Sequence, residues 1–174
     1  MCLRRVALIA LLLSLGSASL PCHAQPLWSI GWGHGSADIS RLRLAASYDL
    51  QPSWWPDWLP RPLLTLQPGL SYWQYRGGSS WSVSVLPEIG WQRPLGSDWQ
   101  LTLGAGIGVA AFSDTTLASR QLGSAFQFED RLSIGVLRPP FGLWLRGYHY
   151  SNGNLTAHND GINLISLEWG WQLP

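Results

Sequence analysis

Strict alternation of apolar and polar side chains runs through most of this chain, and it constrains the fold more than any other feature. In the segment that begins at Trp81, the residues Val83 and Val85 share one face with it, while Ser82 and Ser84 share the other. A period of two residues is typical of a β-strand whose two faces meet different surroundings. The alternation therefore predicts an all-β chain.

Eight segments of strand length can be delimited in this way. One of them, 98–112, is apolar enough for a buried helix, but its interior glycines favour a strand because each would cost a helix about 1 kcal/mol. The eight segments are 27–34, 38–50, 62–75, 80–92, 98–112, 125–137, 141–151 and 160–172. Eight long strands are enough to close a small sheet on itself, so we predict an eight-stranded antiparallel β-barrel.

The charged residues indicate which kind of barrel this is. A soluble carrier barrel is apolar inside, whereas a barrel of the bacterial outer membrane is polar inside and apolar outside. The polar faces carry four residues of each sign: Arg41, Arg43, Arg131, Arg146, Asp49, Glu88, Glu129 and Glu168. Such a set can pair within a narrow lumen. The apolar faces, rich in leucine and tryptophan, would then contact lipid.

Several of the 12 tryptophans lie near predicted strand ends, where the aromatic girdles of membrane barrels belong. These are Trp54, Trp55, Trp58, Trp73, Trp81, Trp91 and Trp171. We therefore predict a transmembrane β-barrel of the bacterial outer membrane. The soluble carrier barrel remains as the alternative.

The N-terminal residues 1–24 have the pattern of a signal peptide. Arg4 and Arg5 precede an apolar stretch that is shorter than the ~20 residues of a spanning helix. Cleavage after Ala24 would leave residues 25–174 as the barrel domain and remove both cysteines. The remaining chain would hold 9 arginines, no lysine and 10 acidic residues. This balance disfavours nucleic-acid binding, because no surplus of positive charge is left to neutralise a phosphate backbone.

A candidate reactive pair lies in the seventh predicted strand. His149 and Ser151 fall on its apolar, outward face, while Tyr148 and Tyr150 fall on the inward face. Residues two apart on a strand have Cα atoms about 6.6 Å apart, so the two side chains can meet. A serine hydroxyl beside an imidazole is the core of nucleophilic ester cleavage. A polar pair at the headgroup level of a barrel is the alternative interpretation.

The residues around this pair resemble a known family. The string His149–Gly153, followed by Asn159, Asp160 and Gly161, resembles the active-site segment of the outer-membrane lipid A 3-O-deacylases, the PagL family. The segments 106–112 and 128–131 are also similar to that family. The resemblance implies a small eight-stranded barrel that removes the ester-linked acyl chain at position 3 of lipid A without a metal.

The same resemblance implies roles for individual residues. Family members use a Ser, His, Glu triad on the outer surface of the barrel. Ser151 would be the nucleophile and His149 the general base. The Asn152 side chain and the backbone N–H near Asn154 would form the oxyanion hole.

The position that matches the triad glutamate is Asn163, so this chain departs from the family pattern. A hairpin centred near Ala157 can bring Asn163 close to His149. An amide can hold an imidazole by a hydrogen bond, but it cannot offset the imidazolium charge. Asp130, placed roughly opposite His149 by the 138–140 turn, could substitute for the missing acid, and Asp160 is a second candidate.

Asp130 has an alternative interpretation. A carboxylate on an otherwise apolar face is costly unless it is paired or used. Pairing with Arg131 or with a loop arginine such as Arg120 would account for it equally well.

The function that follows from the sequence is a serine esterase, a lipid A 3-O-deacylase. Its partners would be lipid A and the outer membrane, with no nucleic acid and no cofactor, and self-association as a homodimer is left open. A catalytically silent barrel with a structural or lipopolysaccharide-binding role is the alternative, and Asn163 is the residue that favours it.

Overall fold

The structure, a computed structural model, describes residues 26–50, 56, 58 and 61–173. The predicted signal peptide, residues 1–24, lies outside the described residues, and so do Trp54 and Trp55. Within the described ranges, no helix has the length and apolar character needed to cross a membrane.

Eight long strands and one short hairpin make up the described chain. The long strands are β1 (Leu27–Gly35), β2 (Ile39–Leu50), β3 (Leu63–Tyr75), β4 (Gly78–Pro94), β5 (Gln100–Phe112), β8 (Phe126–Arg138), β9 (Phe141–Ser151) and β10 (Ile162–Gln172). The hairpin pairs β6 (Thr116–Leu117) with β7 (Arg120–Gln121) inside the loop 113–125. A 3-10 turn, Ser36–Asp38, joins β1 to β2.

The long strands close into an antiparallel barrel. β1 pairs with β2 on one side and with β10 on the other, so the sheet of eight long strands closes without a free edge. Closure satisfies the backbone groups that lipid could not hydrogen-bond. The predicted eight-stranded antiparallel barrel is confirmed, and every predicted strand boundary lies within two residues of the observed one. The end that carries the loops 113–125 and 152–161 is called the loop end below.

The apolar side chains point outward from this barrel. Side chains more than a third exposed on the outer wall include Ile30, Trp32, Leu42, Leu44, Trp81, Trp91, Leu103, Ile107, Leu132, Ile134, Leu145, Leu167 and Trp169. Water penalises such a surface and hydrocarbon does not. The soluble carrier barrel is therefore wrong, because its apolar residues would line the interior.

The charged side chains lie in the lumen and pair across it. The ion pairs are Arg41–Glu168 (3.4 Å), Arg43–Glu129 (3.4 Å), Arg131–Glu88 (2.8 Å) and Arg146–Glu168 (2.5 Å). Each of the four arginines is almost fully buried. Asp49, the eighth charged residue expected in the lumen, lines the lumen opening near the end of β2 with Glu88 and Arg146; it is exposed there and is not part of these ion pairs.

An apolar cluster fills the lumen at the loop end. Its buried members are Ile39, Trp73, Ala110, Phe112, Leu117, Leu122, Tyr148, Tyr150, Ile162 and Leu164. The prediction that Trp73 belongs to a girdle is wrong, since its Nε1 donates to Ser82 Oγ inside the barrel at 2.9 Å. Trp73 shares its parity along β3 with Ser71, and the alternation therefore turns both inward. Trp81 and Trp91 face outward as predicted.

Candidate active site

His149 and Ser151 lie on the outward face of β9, next to the loop end. Both side chains are partly exposed, whereas Tyr148 and Tyr150 are buried in the lumen. The alternation of the strand thus presents the imidazole and the hydroxyl on the same side of the wall. The orientation of the imidazole ring depends on the side chains that the neighbouring strands β8 and β10 place beside it.

Three adjacent strands bring three polar side chains into one row across the outer wall. His149 on β9 is directly opposite Asn163 on β10 and directly opposite Asp130 on β8. Residues paired in this way have Cβ atoms about 4.5–5.5 Å apart. The register agrees with the expectation that the two hairpins bring Asn163 and Asp130 beside His149.

Asn163 holds the His149 ring by a hydrogen bond of 2.7 Å between Nδ1 and Oδ1. An amide oxygen can only accept, so Nδ1 carries a proton, and in the neutral ring Nε2 keeps a free lone pair. The ring also has space on its other side, because Gly161 has no Cβ; one built there would stand 3.3 Å from His149 Cε1. The neutral imidazole is therefore oriented with Nε2 available as a base.

Asp130 is a carboxylate on the outer wall without a cationic partner among the described residues. Arg131, one alternative partner, points into the lumen and pairs with Glu88 at 2.8 Å. Arg120, the other, donates from Nη1 to the carbonyl oxygen of Asp160 at 3.1 Å. Neither pairing accounts for Asp130, and the nearest polar side chain in register with it is His149.

Asn152, which follows Ser151, is fully buried and points away from the outer wall. Its Nδ2 donates to Leu122 O (2.8 Å), Thr156 Oγ1 (2.6 Å) and His158 O (2.7 Å). These acceptors take up both amide hydrogens, so the side chain has none left for an oxyanion. The expected role of this amide as an oxyanion donor needs correction: it ties loop 152–161 to loop 113–125 instead.

The turn after Asn152 begins two residues beyond Ser151. Gly153 and Asn154 both adopt left-handed backbone conformations, with φ of 64° and 62°. Asn159 fixes the turn, since its Oδ1 accepts the N–H of Asn152 at 2.9 Å and its Nδ2 donates to Asn154 Oδ1 at 3.0 Å. Sequence reasoning assigned no role to Asn159; its place within Asn159–Gly161 was the only signal, and that string carries no geometry by itself.

Asp160 joins the two loops rather than the His149 row. Its Oδ2 accepts the backbone N–H of Gln121 at 2.7 Å, and its own N–H donates to Gln121 O at 3.1 Å. Asp160 is thus engaged with the β6–β7 hairpin. No hydrogen bond or ion pair joins Asp160, the second candidate for a substitute acid, to His149 among the described residues.

An apolar groove on the outer wall begins at His149 and Asp130. Its volume is ≈ 920 Å³. Ile107 and Leu132 flank its start, and it extends toward Leu64 near the opposite end of the barrel. A groove of this kind fits an extended hydrocarbon chain whose polar end lies beside the imidazole.

The other described histidines lie apart from this row. His34 Nδ1 is 3.0 Å from Ser40 Oγ on the neighbouring strand, and His158 contributes its carbonyl oxygen to the Asn152 contacts. Within the described ranges, no group of three or more His, Cys, Asp or Glu side chains is arranged to hold a metal ion.

A closed barrel with a charged lumen and a lipid-compatible outer wall defines the class of this protein: a transmembrane β-barrel of the bacterial outer membrane. The model of the lipid A 3-O-deacylase (PagL) family matches residues 40–172, and the chain belongs to this family.

Relatives with curated names agree with this membership. The chain is 36% identical over 128 residues to the lipid A deacylase PagL of Pseudomonas aeruginosa, covering 72% of this chain and 73% of the relative. It is 34% identical over 114 residues to the lipid A deacylase PagL of Bordetella bronchiseptica, covering 63% of this chain and 62% of the relative.

A solved structure is similar over most of the chain. The crystal structure of the outer membrane enzyme PagL superposes with a TM-score of 0.75 at 32% identity. The match covers 84% of this chain and 99% of that one. The barrel of this protein thus has the architecture of a known outer-membrane enzyme.

Proposed function

We propose that this protein is a lipid A 3-O-deacylase, which hydrolyses the ester-linked acyl chain at position 3 of lipid A. The observation that carries the proposal is the 2.7 Å hydrogen bond between His149 Nδ1 and Asn163 Oδ1, because it leaves Nε2 free for Ser151. Membership in the family and the names of the relatives support the substrate. The enzyme class that follows is a serine carboxylic ester hydrolase.

In the proposed reaction Ser151 is the nucleophile and His149 the general base. Ser151 Oγ attacks the acyl carbonyl carbon while His149 Nε2 takes the hydroxyl proton. The protonated His149 then donates that proton to the departing 3-oxygen of the sugar, which leaves an acyl-serine. A water molecule deprotonated by His149 attacks the acyl-serine, and His149 returns the proton to Ser151 Oγ as the fatty acid leaves.

Asn163 and Asp130 share the work of a triad acid in this proposal. Asn163 fixes the tautomer and the orientation of His149, but its amide is neutral. Asp130 lies in register with His149 on the other side and supplies the negative charge that stabilises the imidazolium. The low dielectric of the surrounding lipid strengthens that interaction.

The backbone N–H groups of Gly153 and Asn154 are the proposed oxyanion donors. Neither N–H has a hydrogen-bond partner among the described residues, and the turn that carries them begins two residues beyond Ser151. Comparable donors are worth about 2.7–4 kcal/mol each in other hydrolases. The Asn152 side chain contributes indirectly by holding this turn.

The outer wall supplies the position of the substrate. With the loop end outside the cell, Ser151 would lie near the headgroup level of the outer leaflet, where lipid A carries its ester linkages. The released acyl chain would lie in the groove that starts at His149. This arrangement lets the enzyme cleave its substrate without removing it from the membrane.

Mass spectrometry of lipid A tests the proposal directly. Cells that express the intact chain should lose one 3-linked acyl chain from lipid A, and cells that express Ser151→Ala should not. Ser113→Ala is a matched control at the loop end, because Ser113 Oγ bonds to Ser80 and Asp114 away from His149.

Unmodified lipid A with both the intact chain and the Ser151→Ala variant would instead support a catalytically silent barrel. The neutral residue at position 163 is the feature that favours this second function. A binding assay with purified lipopolysaccharide would then be the next measurement.

A further inference from the structure

Ser36 lies at the seam where β1 and β10 close the barrel, beside the residue that holds His149. Backbone pairing of the two strands ends at Gly35 and Leu164. Beyond it, Ser36 Oγ accepts the N–H of Asn163 at 3.1 Å and donates to the carbonyl oxygen of Asn163 at 3.2 Å. One hydroxyl group thus satisfies both backbone groups of Asn163.

The backbone of Asn163 depends on this contact. In an antiparallel sheet, the N–H and C=O of one residue point toward the same neighbouring strand. Those of Asn163 point toward β1, so Asn163 meets His149 on β9 through its side chain only. Among the described residues, Ser36 is the partner that fixes the backbone from which this side chain projects.

Gly35 makes the contact sterically feasible. A Cβ at position 35 would stand 1.9 Å from the Asn163 carbonyl oxygen and 2.6 Å from Leu164 Cα. No side chain fits at that distance, so only glycine lets the end of β1 approach Asn163 this closely. The close approach and the double hydrogen bond are independent features that act on the same residue.

We propose that Ser36 is a positioning residue for general-base catalysis, acting on His149 through Asn163. The inference rests on the proposed function, in which His149 is the general base. A charged triad acid attracts the imidazole even when it is slightly displaced, but a neutral amide contributes only through hydrogen-bond geometry. This chain has the amide, so it depends on a rigid Asn163 more than a triad with glutamate would.

Steady-state kinetics of the purified full-length protein in detergent micelles with lipid A provide the first test. Ser36→Ala should lower kcat about 10- to 100-fold with KM within about twofold of wild type, because misplacing a catalytic group by ~1 Å costs about that much. Ser36→Thr keeps the hydroxyl and should recover most of the loss. Ser36→Cys replaces the alanine variant if the latter does not fold.

Ser40→Ala is the matched control. Ser40 is another serine at the loop end with a hydrogen-bonded hydroxyl, but its partner is His34 Nδ1 at 3.0 Å, away from Asn163. Its kcat should equal that of the wild type. A wild-type kcat for Ser36→Ala, or an equal loss in Ser36→Ala and Ser36→Thr, would overturn the proposal.

Nitrogen-15 NMR of labelled histidine gives a readout that does not depend on turnover. The His149 Nδ1–H resonance, assigned with His149→Gln, should be slow to exchange in the wild type and in Ser40→Ala. It should be lost to exchange in Ser36→Ala. An unchanged resonance in Ser36→Ala would contradict the positioning role.

The two proposals fail in different ways. If Ser151→Ala deacylates lipid A as fast as the wild type, the proposed function is wrong, and the His149 resonance still decides whether Ser36 orders Asn163. If Ser151→Ala is inactive and Ser36→Ala is fully active, only the role of Ser36 is wrong.

Discussion

In the proposed mechanism, three residues from other strands or turns act on His149, and each acts through a different interaction. Asn163 supplies a hydrogen bond of 2.7 Å and therefore geometry, while Asp130, in register on the opposite neighbouring strand, would supply charge. Ser36 holds Asn163 in place. The separation of geometry from charge makes each contribution testable by a single substitution.

Replacing Asn163 with glutamate should raise kcat for lipid A by about 10-fold or more. A carboxylate on Nδ1 stabilises the imidazolium that forms during attack, and the loss of such a charge in trypsin costs about 10⁴ in rate. The gain should be smaller here because Asp130 already provides negative charge. Kinetics of purified variants measure it. Asn163→Gln controls for side-chain length, and equal kcat values for the two variants would contradict the argument from charge.

Replacing Asp130 with asparagine should lower kcat about 100-fold if its charge stabilises protonated His149, or abolish detectable deacylation. The amount of fatty acid released per unit time gives kcat for each variant. Asp38→Asn, an exposed acid in the β1–β2 turn, is the control and should leave kcat unchanged. Undiminished turnover in Asp130→Asn would remove Asp130 from the mechanism. In an Asn163→Glu background the effect should shrink, because the new carboxylate supplies the same charge.

The row of residues around His149 could be predicted from the resemblance to the family together with strand parity and hairpin length, which are local properties of the sequence. Parity gave the outward direction of His149 and Ser151. The resemblance to the family singled out Asn163, and hairpin length placed Asn163 and Asp130 beside His149. The destination of the Asn152 amide could not be predicted, because its acceptor Leu122 comes from a loop that only the closed barrel brings near.

At the scale of elements, the strands and the positions of the loops were predicted well, but the structure within the loops was not. The alternation marked all eight long strands, but β6 and β7 have two residues each and are too short to show a period. These short strands matter because Gln121 of β7 donates its backbone N–H to Asp160 on loop 152–161. Loop 113–125 thereby supports loop 152–161 through contacts that no local pattern encodes.

Gly123→Ala should separate these two loops and lower the deacylation rate without unfolding the barrel. Gly123 has a φ of 74°, and a Cβ there would stand 2.0 Å from His158 O and 2.2 Å from Thr156 Oγ1. The loop that follows Ser151 would have to move, and protease cleavage within 152–161 should become faster. Lipid A deacylation and limited proteolysis check both effects.

Gly77→Ala is the matched control for this substitution. Gly77 also has a left-handed backbone, with φ of 96°, but nothing lies within 4 Å of the site of its Cβ. The Gly77→Ala variant therefore has the same kind of backbone strain as Gly123→Ala but no collision of its Cβ with another loop. If the two variants lose equal activity, backbone strain alone accounts for the loss, and the contact between the two loops has no part in it.

At the scale of the whole molecule, the barrel combines a lipid-facing outer wall with an interior held by buried charges. Burying ion pairs gains little net stability, but removing one partner leaves an uncompensated charge. Glu168 is the centre of this set, since it accepts from Arg41, Arg146 and the Tyr148 hydroxyl. The outward-facing side chains of His149 and Ser151 and the buried charges of the lumen lie on opposite faces of the barrel wall. Each set can therefore be altered by substitution without changing the other.

Glu168→Gln should destabilise the barrel by about 3–5 kcal/mol, because Arg41 and Arg146 lose the carboxylate between them. Urea unfolding in liposomes, followed by tryptophan fluorescence, measures the change. Asp98→Asn is the control: its ion pair with Arg138, at 3.5 Å, is more than half exposed, and such pairs are worth about 0–1 kcal/mol.

The folded fraction of Glu168→Gln should still cleave lipid A at the same position, because Glu168 faces the lumen and His149 and Ser151 face outward. A variant that unfolds at the wild-type urea concentration would contradict the role of the buried pairs in stability. A variant that is fully folded yet inactive would show that the lumen and the outer wall are coupled, since parity alone would not then separate the interior from the reacting side chains.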